Sequence, residues 1–293
     1  MSNISFAFFG TGALAESTLA TLVRNGFTPK LIVTKPDSPQ GRHMVMTSPH
    51  IKTWADMKGI TVFQPEDLKS IPSDSLLHNE KFDLFIVASY GKIIPENILS
   101  IPEHGSLNVH PSLLPEYRGP SPIESALLDG KITTGVTIIK LDNEMDHGPI
   151  LAQIAFPIDT EATAGTLEVT CGQIGGDLLS QVITPYIEGN LIPKEQDHSK
   201  ATVCRKLEKS MGEITLEDSG ENVIRKYKAL TPWPGIYFFH IHKDKKIRVK
   251  ITKVDLSGRL EGISTAKNII LSVIPEGKHE MSWEDFTRGY MKD

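Results

Sequence analysis

Over the first 189 residues, short continuous apolar runs take turns with segments in which apolar residues recur at helical spacing. This succession predicts strands that alternate with helices. Short apolar runs, several of which stop at glycine, predict strands at residues 4–10, 30–34, 60–65, 82–91, 106–110, 134–142 and 150–158. Helical spacing predicts helices at residues 13–26, 51–59, 121–130 and 163–189, whereas proline-rich residues 34–50 predict a loop. Repeated strand–helix units indicate an α/β fold with a Rossmann-like, mostly parallel sheet covered on both faces.

The pattern changes after residue 189. Residues 190–208 are polar and irregular, as in a linker. Beyond them, residues 235–263 alternate in the manner of antiparallel strands, and residues 269–277 predict one more strand. We therefore expect a first domain over 1–189, a linker over 190–208, and a small all-β, OB-like barrel over 209–293.

Charge is distributed unevenly along the chain. The net charge is −5, but residues 1–205 carry −8 and residues 206–293 carry +3, which is compatible with a polyanion partner for the second part but also typical of an ordinary solvated surface. No run approaches the roughly 18 apolar residues of a membrane helix. The first residues lack a basic segment, so we expect no signal peptide. Two widely spaced cysteines favour a reduced, cytoplasmic protein, and we expect a monomer.

A glycine-rich turn follows the first predicted strand. Gly10-Thr11-Gly12-Ala13-Leu14-Ala15 matches a dinucleotide-binding fingerprint, and Asp37 lies about 25 residues beyond it. A nicotinamide-dependent reductase is therefore one interpretation. Against it, Asp37 lies in the proline-rich loop and not at the tip of the second strand. A tight strand–helix turn that needs small residues is the other interpretation.

Polar residues concentrate between Ser106 and Pro122. Asn108 and His110 are two residues apart on a predicted strand, so both side chains point to one face. An amide that stabilises an oxyanion and an imidazole that moves a proton are suited to acyl transfer. Segment 141–149 follows another strand of the same sheet, and we expect an acidic residue there to face His110. No metal-ligand spacing and no nucleophile elbow occurs, which favours direct attack by an amine.

The same residues resemble the folate-dependent formyltransferases. The sequence NVHPSLLPEYRGPSP (108–122) is similar to that family's N-x-H and SLLPxYRGxxP signature, and GVTIIKLDNEMDHGPIL (135–151) is similar to its downstream segment. The resemblance implies Asn108, His110 and Asp146 as catalytic residues, 10-formyltetrahydrofolate as the formyl donor, and no metal. We expect folate contacts at two segments that lie near strand ends. Their residues are Ala88, Ser89, Tyr90, Gly91, Ser112, Leu113, Leu114 and Pro115.

Three further segments resemble the branch of this family that formylates initiator methionyl-tRNA. They are the KPD…GR…SP loop at 35–49, the WPG strand within 229–238, and the basic linker Arg205-Lys206-Leu207-Glu208-Lys209. This implies tRNA contacts by Arg42, Arg118, Lys206 and Lys209. A nucleotide-sugar amine as acceptor, a hydrolase of formylfolate, and a non-catalytic RNA-binding module remain alternatives.

Overall fold

The structure is a computed structural model that describes residues 4–40, 44–256 and 265–291. The chain divides into two units. The first comprises Met1–Pro120, Thr134–Phe156 and Glu168–Cys204, and the second comprises Ser121–Thr133, Pro157–Leu167 and Arg205–Asp293. Part of the segment expected to be a linker, up to Cys204, therefore belongs to the first unit.

A seven-stranded sheet forms the centre of the first unit. The strands up to residue 157 are β1 (Phe6–Gly10), β2 (Leu31–Val33), β3 (Ser38–Gln40), β4 (Val45–Thr47), β5 (Thr61–Phe63), β6 (Leu84–Ala88), β7 (Ser106–His110), β8 (Thr133–Lys140) and β9 (Ile150–Pro157). The large sheet has the order β5-β2-β1-β6-β7-β8-β9. Neighbours from β5 to β7 are parallel, which confirms the predicted α/β class with a mostly parallel sheet. The order reverses between β1 and β6, and such a switch point is where ligands bind in sheets of this kind.

The strands at the centre of this sheet are buried along their whole length. Every residue of β1, β2, β6 and β7 is buried, as in sheets that are covered on both faces. Phe9, Phe85 and Tyr90 belong to one hydrophobic cluster, with the rings of Phe9 and Phe85 5.0 Å apart. The central strands therefore have little freedom to shift, and they fix the positions of the residues at their ends.

Six α-helices occur among the described residues between 13 and 187. They are α1 (Ala13–Arg24), α2 (His50–Lys58), α3 (Leu76–Asn79), α4 (Glu96–Leu99), α5 (Pro122–Leu128) and α6 (Ala164–Ile187). In α1 the buried residues Leu14, Thr18, Leu19 and Leu22 recur at helical spacing and define its inner face. The prediction of a loop over residues 34–50 was wrong for β3 and β4, which pair as an antiparallel hairpin.

Strand β8 runs antiparallel to β7, with Leu107 opposite Lys140 and His110 opposite Thr137. The carboxyl end of β8 therefore lies beside the amino end of β7. Segment 141–149, which follows β8, begins at the end of the strand pair that is remote from His110. It must fold back to approach the polar residues of β7.

The second unit contains an antiparallel sheet in the order β10-β11-β12-β13. Its strands are β10 (Ile236–His242), β11 (Lys245–Val254), β12 (Ile270–Pro275) and β13 (Met281–Ser282), and its further helices are α7 (Gly220–Leu230), α8 (Ala266–Ile269) and α9 (Trp283–Tyr290). The sequence predicted the sheet but not these helices, although Ser219 caps α7 by accepting a hydrogen bond from the Asn222 N–H. In the described parts of the chain, no helix has the length and apolar character needed to cross a bilayer.

Candidate active site

Asn108 and His110 lie on β7 and are almost buried, with 9% and 4% of their surfaces exposed. Their spacing of two residues places both side chains on the same face of the strand. Buried polar side chains are uncommon unless they have hydrogen-bond partners. The partners of both side chains come from segments that follow β7 and β8.

Asp146 brings a carboxylate to this pair. Its Oδ1 atom lies 3.5 Å from Asn108 Nδ2 and 3.5 Å from His110 Nδ1. Its Oδ2 atom accepts a hydrogen bond of 2.8 Å from the backbone N–H of Gly119. The two 3.5 Å contacts are at the long limit for hydrogen bonds, so the three side chains retain capacity for hydrogen bonds to a substrate.

The position of the proton on His110 follows from its second contact. His110 Nε2 lies 2.9 Å from the carbonyl oxygen of Tyr117. A carbonyl oxygen only accepts hydrogen bonds, so Nε2 carries a proton and donates it. The remaining nitrogen, Nδ1, faces Asp146 and is the atom that can gain or lose a proton.

Residues 117–119 are fixed by a chain segment that is distant in sequence. The N–H of Arg118 donates to the Thr202 carbonyl, and the N–H of Cys204 donates to the Arg118 carbonyl, both at 2.8 Å. This pairing holds the Tyr117 carbonyl and the Gly119 N–H in place. The sequence motif contained both residues, but side-chain chemistry gave no sign of their backbone roles.

Residues 112–115, where folate contacts are predicted, form a rigid loop. The Thr137 hydroxyl donates to the Ser112 carbonyl at 2.6 Å and accepts from the Leu114 N–H at 3.2 Å. Gln153 also donates to the Leu114 carbonyl. The side chains of Ser112 and Leu114 are buried, whereas Leu113 and Pro115 are partly exposed. Any ligand of this loop must therefore meet backbone groups or those two side chains.

Residues 88–91, the other predicted folate segment, follow β6. Ser89 and Gly91 adopt positive φ angles of 48° and 69°, so the backbone turns sharply at the strand end. Tyr90 points into the hydrophobic cluster, where burial and the nearby Asp67 raise the pKa of its hydroxyl to about 12. Its side chain therefore belongs to the core, and contacts with a ligand at this segment fall to the backbone and to Ser89.

The predicted tRNA-binding residues lie in different surroundings. The Arg118 guanidinium donates to Gln196 and to His198 Nδ1. Lys206 and Lys209 are exposed near the start of the last segment of the second unit, Arg205–Asp293. Arg42 lies outside the described residues.

The glycine-rich turn is explained by packing. A Cβ at Gly10 would lie 2.6 Å from Ala15 Cβ and 2.9 Å from the Ala88 carbonyl oxygen, and Gly12 has a φ of 86°. The carboxylate of Asp37 accepts hydrogen bonds from Gln64 and Ser48, which lower its pKa, and it also pairs with Lys52. These contacts favour the interpretation as a tight turn over a dinucleotide site. In the ranges that the structure describes, no group of three or more His, Cys, Asp or Glu side chains is arranged to hold a metal.

Comparison with known proteins matches both parts of the chain to family models. A family model described as formyl transferase matches residues 2–183, and a model of the formyl transferase C-terminal domain matches residues 206–268. A methionyl-tRNA formyltransferase of Chloroflexus aurantiacus is 42% identical over 232 residues, which cover 79% of this chain and 75% of the relative. Another, of Bacillus velezensis, is 34% identical over 297 residues, covering 96% and 93%.

Two solved structures share the fold at lower identity. HypX from Aquifex aeolicus, solved with tetrahydrofolic acid, has a TM-score of 0.68 and 16% identity; the match covers 99% of this chain and 48% of that one. WlaRD, a sugar 3N-formyl transferase, has a TM-score of 0.60 and 18% identity, covering 94% and 98%.

The fold and the two matching domain models define a folate-type formyl transferase. With relatives 34–42% identical over most of its length, the chain belongs to the methionyl-tRNA formyltransferase family. The predicted resemblance is confirmed.

Proposed function

We propose that this enzyme transfers the formyl group of 10-formyltetrahydrofolate to the amine of initiator methionyl-tRNA, using Asn108, His110 and Asp146. The observation that carries the proposal is the approach of an amide, an imidazole and a carboxylate on one face of β7, where the carboxylate lies 3.5 Å from each of the other two groups. Such a set provides an oxyanion donor and a proton acceptor beside one carbonyl carbon.

Two turns at neighbouring strand ends are suited to hold the folate co-substrate. Turns 88–91 and 112–115 follow β6 and β7, which are neighbours in the sheet. The backbone turns sharply at Ser89 and Gly91, and Leu113 and Pro115 of the other turn are partly exposed. Backbone N–H and C=O groups are the partners that the amide edge of a pterin requires. The co-substrate supplies the formyl group, and these turns hold its ring beside Asn108.

Charge that develops on the formyl oxygen is stabilised by two donors. Asn108 donates from Nδ2, and protonated His110 donates from Nδ1, because Nε2 already donates to the Tyr117 carbonyl. Both side chains are buried, so water screens these hydrogen bonds little. Donors aimed at a developing oxyanion are a large source of rate acceleration.

His110 and Asp146 together carry every proton transfer of the reaction. Asp146 Oδ1 accepts the proton that the attacking amine loses, and His110 Nδ1 delivers its proton to the departing folate nitrogen. The proton on Asp146 then returns to His110 Nδ1 across their 3.5 Å separation. The number of protons balances, and no covalent enzyme intermediate is needed.

The second unit presents a surface suited to RNA. Tyr237, Phe239 and Ile241 alternate along β10, and Lys250, Arg248 and Lys246 lie opposite them on β11. Lys246 lies over the Phe239 ring at 4.2 Å, and Arg248 over the Tyr237 ring at 5.4 Å. We call this set the aromatic–basic face. Cations attract phosphates and aromatic rings stack on bases, so this face, with Lys206 and Lys209 of the same unit, binds tRNA; a contact by Arg42 stays a prediction.

A direct assay tests the proposal. Purified enzyme is given 10-formyltetrahydrofolate together with methionyl-tRNA, an amino nucleotide sugar, or no acceptor. We expect formylmethionyl-tRNA with the first and little product with the second. Transfer to the sugar amine, or formate release at a comparable rate without acceptor, would support one of the alternative activities instead.

We also propose that the enzyme is a monomer in the cytoplasm. Cys171 and Cys204 are both buried, and burial raises the pKa of the Cys171 thiol to about 12, which suits thiols that remain reduced. Sedimentation analysis of the purified chain tests the oligomeric state. A stable dimer would contradict the expected monomer.

A further inference from the structure

Gln196 contacts the active-site segment at two points. Its side-chain nitrogen donates to the carbonyl oxygens of Asp146 and Gly148, at 2.9 and 2.7 Å. Only 6% of Gln196 is exposed, so these bonds are shielded from water. They hold the backbone on both sides of His147 and so fix where the Asp146 side chain begins.

Arg118 fixes the orientation of the Gln196 amide. The Gln196 oxygen accepts from Arg118 Nε at 3.2 Å and from Nη2 at 2.7 Å. A guanidinium only donates and carbonyl oxygens only accept, so the amide has one orientation that satisfies all four contacts. Arg118 therefore keeps both donors of Gln196 directed at the Asp146 and Gly148 carbonyls.

The segment that carries Asp146 is also held by contacts of its neighbour His147. Arg118 Nη2 also donates to His198 Nδ1 at 2.8 Å, and the His198 ring stacks on His147 at 4.1 Å between centroids. His147 in turn hydrogen-bonds Asp142 at 2.8 Å. Asp146 itself has a positive φ of 50°, a conformation that persists where surrounding contacts impose it.

We infer that Gln196, oriented by Arg118, is a positioning residue that sets the Asp146 carboxylate for catalysis. This rests on the proposed function, because Asp146 must act in formyl transfer. It also gives Arg118 a role different from the predicted phosphate contact. Neither residue touches the reacting atoms, so each acts through Asp146.

The test is a double-mutant cycle in the full-length enzyme with Gln196→Met and Asp146→Asn. We expect Gln196→Met to lower kcat about tenfold to a hundredfold, as for a misplaced catalytic group, with KM for both substrates unchanged within about twofold. In the Asp146→Asn background the same change should have almost no further effect on kcat. Gln173→Met, on an exposed position of α6, is the matched control and should leave both constants unchanged.

Arg118→Met separates the positioning role from phosphate binding. For a positioning residue, kcat falls while the salt dependence of tRNA affinity stays the same. For a phosphate contact, tRNA affinity falls and the log–log salt slope decreases by about one. Either of two results would overturn the inference. One is the phosphate-contact pattern for Arg118→Met, and the other is a double variant in which the reductions of kcat by Gln196→Met and Asp146→Asn multiply.

A measurement that does not depend on enzyme activity tests the inference separately from the proposed reaction. Hydrogen exchange over residues 142–149 should accelerate in Gln196→Met and not in Gln173→Met. Gln196→Asn, which is one methylene shorter, serves if the methionine variant fails to fold. If the unaltered enzyme transfers no formyl group, the proposed function fails. Hydrogen exchange then tests only whether Gln196 holds residues 142–149 in place. An unchanged exchange rate over 142–149 in Gln196→Met would show that it does not.

Discussion

The Oδ2 atom of Asp146 accepts a hydrogen bond of 2.8 Å from the backbone N–H of Gly119. This bond uses one carboxylate oxygen for orientation and leaves the other, Oδ1, facing Asn108 and His110. A single main-chain donor therefore separates the structural function of this carboxylate from its proposed chemical function. Substitutions that keep the structural function of the carboxylate and remove its chemical function are therefore informative.

Asp146→Asn should retain the fold and lose most of the activity. The amide oxygen of the new side chain can still accept from the Gly119 N–H, but the group no longer takes a proton. General acid–base groups typically contribute about 10²–10⁴-fold, so we expect kcat to fall within that range at unchanged melting temperature. Single-turnover formyl transfer measures it, and a loss below about fivefold would exclude Asp146 as the proton acceptor.

Asn108→Ala should lower the rate of formyl transfer by about 10²–10³, the usual cost of removing one oxyanion donor. KM for either substrate should change far less than kcat. The matched control is Asn97→Ala, at an exposed position of α4. Comparable rates for Asn108→Ala and the control would remove Asn108 from the mechanism.

Gly148→Ala should disturb the active-site segment directly. An added Cβ would collide with the carbonyl oxygen of Lys140, and backbone cannot yield as a flexible side chain can. We expect a loss of about 1–3 kcal/mol in unfolding free energy and a kcat at least tenfold lower. Gly165→Ala, where a Cβ meets open space, should change neither quantity appreciably. Urea unfolding and transfer assays on both variants decide the prediction.

Arg248→Gln on the aromatic–basic face should weaken tRNA binding in a salt-dependent way. Removing one phosphate-binding cation reduces the slope of log affinity against log salt by about one. Phe239→Ala should weaken binding without changing that slope, because stacking on bases releases few counterions. Lys69→Gln, an exposed position in the first unit, controls for net charge. Equal slopes for Arg248→Gln and this control would show that the face does not bind phosphate.

Glu124→Gln should stabilise the protein at neutral pH and not in acid. Burial raises the pKa of the Glu124 carboxyl in the folded state. As pH rises above the ordinary pKa, the unfolded chain releases this proton first, so wild-type stability falls until the folded-state pKa is passed. We expect the urea midpoint of Glu124→Gln to exceed that of wild type at neutral pH, and the two to coincide at a pH below the ordinary pKa of the carboxyl. The exposed Glu96→Gln should show no such difference, and an equal response of both variants would contradict the prediction.

The central strands and the Asn108–His110 pair were accessible from sequence. Continuous apolar runs predicted β1 and β6, because strands covered on both faces have no polar side to confuse the pattern, whereas in β7 polar and apolar residues alternate. Strand geometry alone put Asn108 and His110 on one face. The sequence did not predict the helices of the second unit, because α7 and α9 are short segments outside the predicted strands whose local start signal is a single serine N-cap.

The sequence by itself therefore determined the α/β class, the family, and two side chains two residues apart whose common direction follows from the period of a strand. Only the tertiary structure decided how Asp146 reaches them. Since β8 is antiparallel to β7, segment 141–149 starts at the wrong end and must fold back, held there by Gly119 and Gln196. Gln196 is 50 residues from Asp146, and a contact over that separation depends on how the whole chain packs, which no local pattern of polar and apolar residues encodes.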